Sequence, residues 1–308
     1  MLTFDELLKE YFFVRHLKPR TQNSYQGALA QFTKNMNKQG LRLPSEVTQF
    51  HILTWRKKAL SEIREVSWNC YVRHLRALYN FGIDQGLLNT VTNPFKGVTI
   101  REPKKPKKTL SKTQIDTTRA VLSQMVEYER SGERSRITPA WFWQVVNETF
   151  YYAGLRLNQL VMLKVCDIDL ENLIIRATVE GSKTQREYPV PISPKLKPYL
   201  EKLLAAACEQ GFKNKDQLFN VNRFSEHYKL RKTMNHWQVS ACYRKISEIS
   251  QSKVSPHRFR HTLGTDLMKK PERNLHLVKD LLGHTSIKTT LEYVTTDVDM
   301  LRECVDCR

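Results

Sequence analysis

Only 6 of the 308 residues are cysteine, far too few for a disulfide framework, and this points to a reducing, cytoplasmic compartment. The terminal pair Cys304 and Cys307 forms a lone CxxC with no second ligand pair, so no metal site is expected. Glycine and proline are also scarce, at 11 and 12, which excludes a collagenous or low-complexity chain. No apolar run reaches the ~18 residues a membrane helix needs, and the mean hydropathy is −0.52. The opening MLTFDELLKEYFF carries acids where a secretory signal would carry bases, so neither a signal peptide nor a membrane partner is expected. A Walker-type phosphate loop and a carboxylate cluster suited to Mg²⁺ are missing too, so chemistry without a cofactor is anticipated. The largest deficit is in negative charge. Against 50 Lys and Arg stand 31 Asp and Glu, a net charge of +19 that makes nucleic acid the first partner to consider.

The distribution of that charge matters more than its sum. Residues 1–100 carry a net +7, the nine residues REPKKPKKT at 101–109 carry +4, and residues 110–308 carry +8. A basic tail would be lopsided, and this is not. Pro103 and Pro106 forbid helix in the connector and favour an extended tether. At this length two domains are expected: a helical unit over 1–100, a basic linker over 101–109 and a second unit over 110–308. A basic tether between two basic domains suggests a clamp around a polyanion, with Lys104, Lys105, Lys107 and Lys108 as candidate DNA contacts.

Hydrophobic periodicity supplies the elements. Phe4, Leu7, Leu8, Tyr11 and Phe12 line one helical face. Thr21 is a candidate cap for a second helix through Tyr25, Leu29 and Phe32 that ends near Gly40. A third helix is predicted over about 46–60, and a fourth runs from Ser67 to Gly82–Gly86. In the second unit Ser111 and Gln114 form a capping box, an aromatic helix over 139–152 ends at Gly154, and a short helix follows from Arg156 to Leu163. The period then changes. Residues 173–179 and 186–192 read as two strands joined by 180–185, and the remainder to the C-terminus is helical. The expected fold is mostly α with one small antiparallel sheet in the C-terminal domain.

Four short segments place basic or nucleophilic groups where local geometry would aim them. Arg156 follows a glycine break at a helix start, a position that suits anions. Lys183 sits in the strand connector, where a lysine is ordinarily just solvated. Ser255-Pro256-His257-Arg258-Phe259-Arg260-His261-Thr262 opens a helix with His257 and Arg260 on one face, a pair able to bind and protonate a phosphoryl group. Leu281-Leu282-Gly283-His284 ends a helix, and Tyr293 lies nine residues on, on a following helix over 287–294. Each segment taken singly has an ordinary structural explanation: a cap, a solvated turn, a packed tyrosine.

Taken together, Arg156, Lys183, His257, Arg260, His284 and Tyr293 resemble, in order, the active-site series of the tyrosine recombinases, the lambda-integrase and Xer-type family. Gly154-Leu155-Arg156 is similar to the first arginine motif, Ser182-Lys183-Thr184 to the hairpin lysine segment, and residues 256–262 to the HxxRH box. The N-terminal hundred residues resemble the core-binding domain. The resemblance implies attack on a phosphodiester by Tyr293, a 3′-phosphotyrosyl link, and religation without ATP or metal. It implies Arg156 and Arg260 on the non-bridging oxygens, Lys183 protonating the leaving 5′ oxygen, His257 assisting proton transfer at the tyrosine, and His284 donating to a phosphate oxygen. The partners it implies are double-stranded DNA at specific core sites and three further copies of the chain, in a homotetramer on paired sites that is a monomer or weak oligomer when free and nucleoid-associated when bound. An accessory directionality factor would be a further partner, and residues 295–308 an assembly segment. One position departs from the family: Gln159 stands where an acid is usual. The chain opens directly on the helical unit, which favours a core-site system, a mobile-element integrase or resolvase. Xer-like dimer resolution is the alternative, a type IB topoisomerase a more distant one, and a DNA-binding regulator that has lost catalysis is disfavoured by the intact series.

Overall fold

A computed structural model describes residues 2–103, 107–179, 187–225, 231–269 and 274–293. The chain divides into two compact units, Met1–Lys105 and Pro106–Arg308. Lys104 and Lys105 of the basic tether, and Lys183 of the strand connector, lie outside the described residues.

The first unit holds four helices: α1 (Phe4–Val14), α2 (Pro19–Lys38), α3 (Gln49–Glu62) and α4 (Glu65–Asp84). Thr3 and Glu6 close a capping box on α1. Helix α2 begins two residues before Thr21, because Pro19 occupies its first turn with φ already preset, and Thr21 falls inside the helix. The core is aromatic. Phe32 is fully buried and meets Phe4, Trp55 and Phe95 at centroid distances of 5.3, 5.5 and 5.4 Å. The segment leaving α4 is stitched back onto it. Trp68 Nε1 donates to the Val98 carbonyl (3.0 Å), and the Asn69 side chain brackets Ile100, donating to its carbonyl (2.8 Å) and accepting from its N–H (3.0 Å).

The second unit contains α5 (Lys112–Arg130), α6 (Ala140–Ala153), α7 (Leu157–Met162), α8 (Lys197–Glu209), α9 (His236–Ile249), α10 (Pro256–Lys269), α11 (Leu275–Leu281) and α12 (Ile287–Leu291). Its sheet is antiparallel in the order β1 (Ile168–Asp169), β2 (Ile174–Ala177), β3 (Tyr188–Pro191), with Ile175 opposite Val190. Strand β1, only two residues long, has no periodicity to announce it. Ser111 and Gln114 cap α5 reciprocally. A charged pair staples α5 to α6: the Arg119 guanidinium donates to both oxygens of the buried Glu148 carboxylate at 2.9 and 2.6 Å. Helix α6 is buried nearly all round and ends at Gly154, whose φ of +59° supplies the left-handed residue that closes the helix. The segment before α5 is tied down where Leu110 N–H donates to Thr262 Oγ1 on α10 (2.8 Å).

Candidate active site

Two glycines build the floor of the site. Gly154 at the end of α6 and Gly283 after α11 both have positive φ, +59° and +56°. Their backbone carbonyls point at guanidinium groups. Gly154 O accepts from Arg260 at 2.8 Å, and Gly283 O accepts from both terminal nitrogens of Arg156 at 3.4 and 3.3 Å. The Leu282 carbonyl accepts from the other Arg260 nitrogen. Adjacent carbonyls in one turn thus hold both arginines side by side. Among the described residues neither guanidinium pairs with a carboxylate. Arg260 is buried and Arg156 half-buried. Burial and the neighbouring Arg260 charge push Arg156 below the usual arginine range. Such a pair has unmet appetite for an anion.

Arg156 is the N-cap of α7, and its N–H donates to Gln159 Oε1 (2.9 Å). Gln159 is buried and also bonds the Tyr188 hydroxyl, its Nε2 lying 3.0 Å away. Gln159 therefore couples the helix start to β3, and its contacts are with the backbone and a phenol, not with a guanidinium.

Tyr293 lies two residues beyond the end of α12, which stops at Leu291, and its ring is buried at 3 % exposure. It packs in a small apolar cluster with Met268, Val278 and Leu282. Its hydroxyl is 3.1 Å from Nδ1 of the buried His261, and its ring lies parallel to that of His284 at 5.8 Å. Nδ1 of His284 is 2.9 Å from Thr290 Oγ1, so it is Nε2 that remains for another partner. Burial, followed by the charges of Arg260 and Arg156, lowers His284 to about 4; burial, followed by His257 and Lys107, lowers His261 to about 4. Both rings are neutral at neutral pH. His257 is exposed, and its ring meets that of His261 edge-on at 4.1 Å. Lys107 pairs with Glu292, next to the tyrosine, at 2.6 Å, and Lys108 is exposed.

The structure thus gathers Arg156, Arg260, His284 and Tyr293 of the six anticipated residues, and it sets His257 one turn away along α10. The residue that sequence reasoning did not single out is His261, which stands inside the quoted box. Its signal was spacing: four residues after His257 and next to Arg260, it faces inward on the same helix. Among the described residues no cluster of His, Cys, Asp and Glu could hold a metal ion, and no helix is long and apolar enough to cross a membrane.

Residues 117–300 match the model of the phage integrase family. Two relatives carry the description putative tyrosine recombinase XerC. The chain is 42 % identical over 308 residues to the one from Pseudomonas syringae and 43 % over 310 residues to the one from Pseudomonas aeruginosa. All of this chain is covered in both, but it spans only 64 % and 72 % of those proteins' lengths. Among solved structures, the Tn1549 transposon integrase in complex with a circular intermediate DNA superposes with a TM-score of 0.74 at 17 % identity, over the whole of both chains. A lambda integrase dimer bound to a COC′ core site gives 0.69 at 18 % identity, over 95 % of this chain and 77 % of that one. At such identities these two likenesses speak for the fold.

Proposed function

This chain belongs to the phage integrase family of tyrosine recombinases, and on that footing we propose that it is a site-specific DNA recombinase that cuts and rejoins duplex DNA through Tyr293. The observation that carries this reading is the convergence, beside a buried tyrosine, of two arginines that backbone carbonyls hold and that no carboxylate pairs among the described residues. Such a pair is built to take two non-bridging phosphate oxygens and to stabilise the charge that grows on them in the transition state. Tyr293 Oη attacks phosphorus, forming a 3′-phosphotyrosyl ester and releasing a 5′-hydroxyl. Lys183 is assigned the protonation of that leaving oxygen. His284, with Nδ1 engaged by Thr290, offers Nε2–H to a phosphate oxygen. The ester conserves the energy of the broken bond, so a second 5′-hydroxyl can reverse the step on a new strand through a Holliday junction. No cofactor enters any of these steps.

The partner is double-stranded DNA, gripped through Lys104, Lys105, Lys107, Lys108 and the basic surface of both units, with four protomers on two sites. The structural neighbours solved with transposon and core-site DNA support the choice of DNA as partner. The units follow the boundaries 1–100, 101–109 and 110–308, with 295–308 serving assembly. A mobile element is the favoured biological setting. Xer-like dimer resolution is the second reading, favoured by the XerC descriptions of the relatives at 42 and 43 % identity. The test is covalent capture. A pool of nicked duplexes of randomised sequence is incubated with the protein, and adducts that survive detergent are recovered and sequenced. Wild type gives an adduct on an enriched sequence and Tyr293→Phe gives none; an adduct with Tyr293→Phe refutes the assignment of the nucleophile.

A further inference from the structure

Three histidines surround Tyr293, and their geometry separates them. His284 lies flat against the phenol ring with Nδ1 committed to Thr290. His257 is exposed, and its ring abuts that of His261. His261 places a ring nitrogen in hydrogen-bond reach of the hydroxyl, Nδ1 to Oη at 3.1 Å, with both side chains buried. The same helix also seats the tyrosine ring. Gly264 lies inside α10, where glycine costs about 1 kcal/mol against alanine. A Cβ at that position would stand 2.9 Å from Cδ1 and 3.1 Å from Cε1 and Cγ of Tyr293, so the missing side chain is the space the ring occupies. One turn of one helix therefore supplies both the bed for the ring and the partner for its hydroxyl.

From this arrangement we infer that His261 is the group that takes the proton from Tyr293 as the phenol oxygen attacks phosphorus, and that Gly264 holds the ring in register for the transfer. The inference rests on Tyr293 being the nucleophile. The step balances: the Tyr293 O–H bond breaks and its proton moves to Nδ1 of His261, the Oη–P bond forms, and the P–O5′ bond breaks with its electron pair on the 5′ oxygen, which takes a proton from Lys183. On religation His261 returns the proton to the departing phenolate. The charged and titratable groups facing His261 are His257 and Arg260 on α10, Lys107 before α5, and Glu292 beside Tyr293, itself paired to Lys107. Burial, followed by the neighbouring positive charge, keeps the imidazole neutral at neutral pH, so a ring lone pair is present there, and its place at 3.1 Å from the hydroxyl is what fits it to the transfer.

The test is single-turnover cleavage of the duplex enriched from the randomised pool, with His261→Ala and His261→Gln beside wild type and Tyr293→Phe, each first confirmed to shift that duplex without cleavage. Proton acceptance predicts that both His261 variants cut about 100-fold or more slowly. It also predicts that their rates climb about tenfold per pH unit between about pH 6 and 8, as hydroxide replaces the missing base, while wild type stays level. A 5′-bridging sulfur, a leaving group that needs no proton, will not rescue them. Rates within threefold of wild type, an equal loss at every pH, recovery by the glutamine, or rescue by the sulfur substrate would each overturn the assignment of His261. Adduct formation by Tyr293→Phe would instead overturn the nucleophile on which it stands, so the two failures read differently.

Discussion

Replacing Gly283 with alanine should damage this protein more than the same change at Gly154, although both residues share a left-handed backbone and both present a carbonyl to an arginine. An L-residue in that conformation costs about 1–2 kcal/mol, and this part is common to the two sites. The surroundings differ. At Gly154 the new methyl meets the end of a flexible side chain, Leu263 Cδ2 at 2.5 Å, which can swing aside. At Gly283 it would lie 2.8 Å from Cδ1 of Tyr188 and closer still to Cε1 and Cζ. That ring is rigid and is held by its hydroxyl to Gln159 and to the Leu282 carbonyl. Overpacking against it adds about 1–3 kcal/mol, giving a total of about 2–5 kcal/mol. In a unit of this size the calorimetric midpoint should fall by about 2–8 °C for Gly154→Ala and about 4–20 °C for Gly283→Ala. Cleavage should follow the same order, because moving Gly283 also moves the carbonyl under Arg156 and its neighbour, Leu282, under Arg260. Equal midpoints would show that backbone strain is the whole cost and that the Tyr188 ring carries none of it.

Four further outcomes are expected. Arg119→Met should cost about 3–5 kcal/mol, since it strands a buried carboxylate. The double variant Arg119→Met/Glu148→Gln should regain over half of that in urea unfolding, and no regain would mean that packing rather than charge holds α5 to α6. Gln159→Glu should leave cleavage intact or raise it, because either side chain can accept from Arg156 N–H and the Tyr188 hydroxyl; complete loss would show that the amide Nε2–H is indispensable. Non-covalent DNA binding should weaken by about 10³–10⁵ between 50 and 200 mM salt if six to ten phosphates are contacted, and a flat response in a mobility-shift titration would deny the clamp. Stability should decline as pH falls from about 6.5 towards 4, because His261 and His284 take protons in the unfolded chain before they do in the folded one. His261→Gln/His284→Gln should lose less over that interval, and an unchanged acid limb would place the titration elsewhere.

The parts of this fold that could be read in the sequence are those decided within a few residues. The Ser111–Gln114 box, the glycine stop at 154 and the helical stripes of α1, α4 and α5 are local events, and each element lies within a few residues of where its pattern put it. Thr21 misled because two start signals compete there, and a preset proline at the first turn outranks a hydroxyl cap. Strand β1 exists only through its pairing with β2, so two residues carry no period of their own. The site divides along the same line. Arg156, Arg260, His284 and Tyr293 were visible as motifs, but what holds them was not. The carbonyl of residue 283 reaches Arg156 across 127 positions and that of residue 154 reaches Arg260 across 106, and backbone oxygens leave no trace in residue identity. His261 escaped notice for a related reason. Its tie to Tyr293 spans 32 positions and forms only when the segment after α12 packs on α10.

The electrostatics of the site explain why its arginines lean on carbonyls. A carboxylate partner would satisfy each guanidinium and leave little attraction for a phosphate, whereas carbonyl dipoles orient the group and keep its full charge available. The cost is visible in Arg156, whose protonated form is disfavoured by burial and by Arg260 beside it. On the proposed reading an incoming phosphodiester relieves the charge penalty, so the ligand supplies the counter-charge that the fold withholds. The histidines complete the logic by remaining neutral. Had His261 and His284 been charged at pH 7, they would add two buried cations to the two arginines, and His261 would have no lone pair for the tyrosine proton. With both near 4, neither ring adds charge to the two arginines at neutral pH. On the proposed reading, most of the net charge of +19 is therefore free to serve the diffuse attraction of DNA, while two arginines, one buried and one half-buried, carry the charge of the reaction.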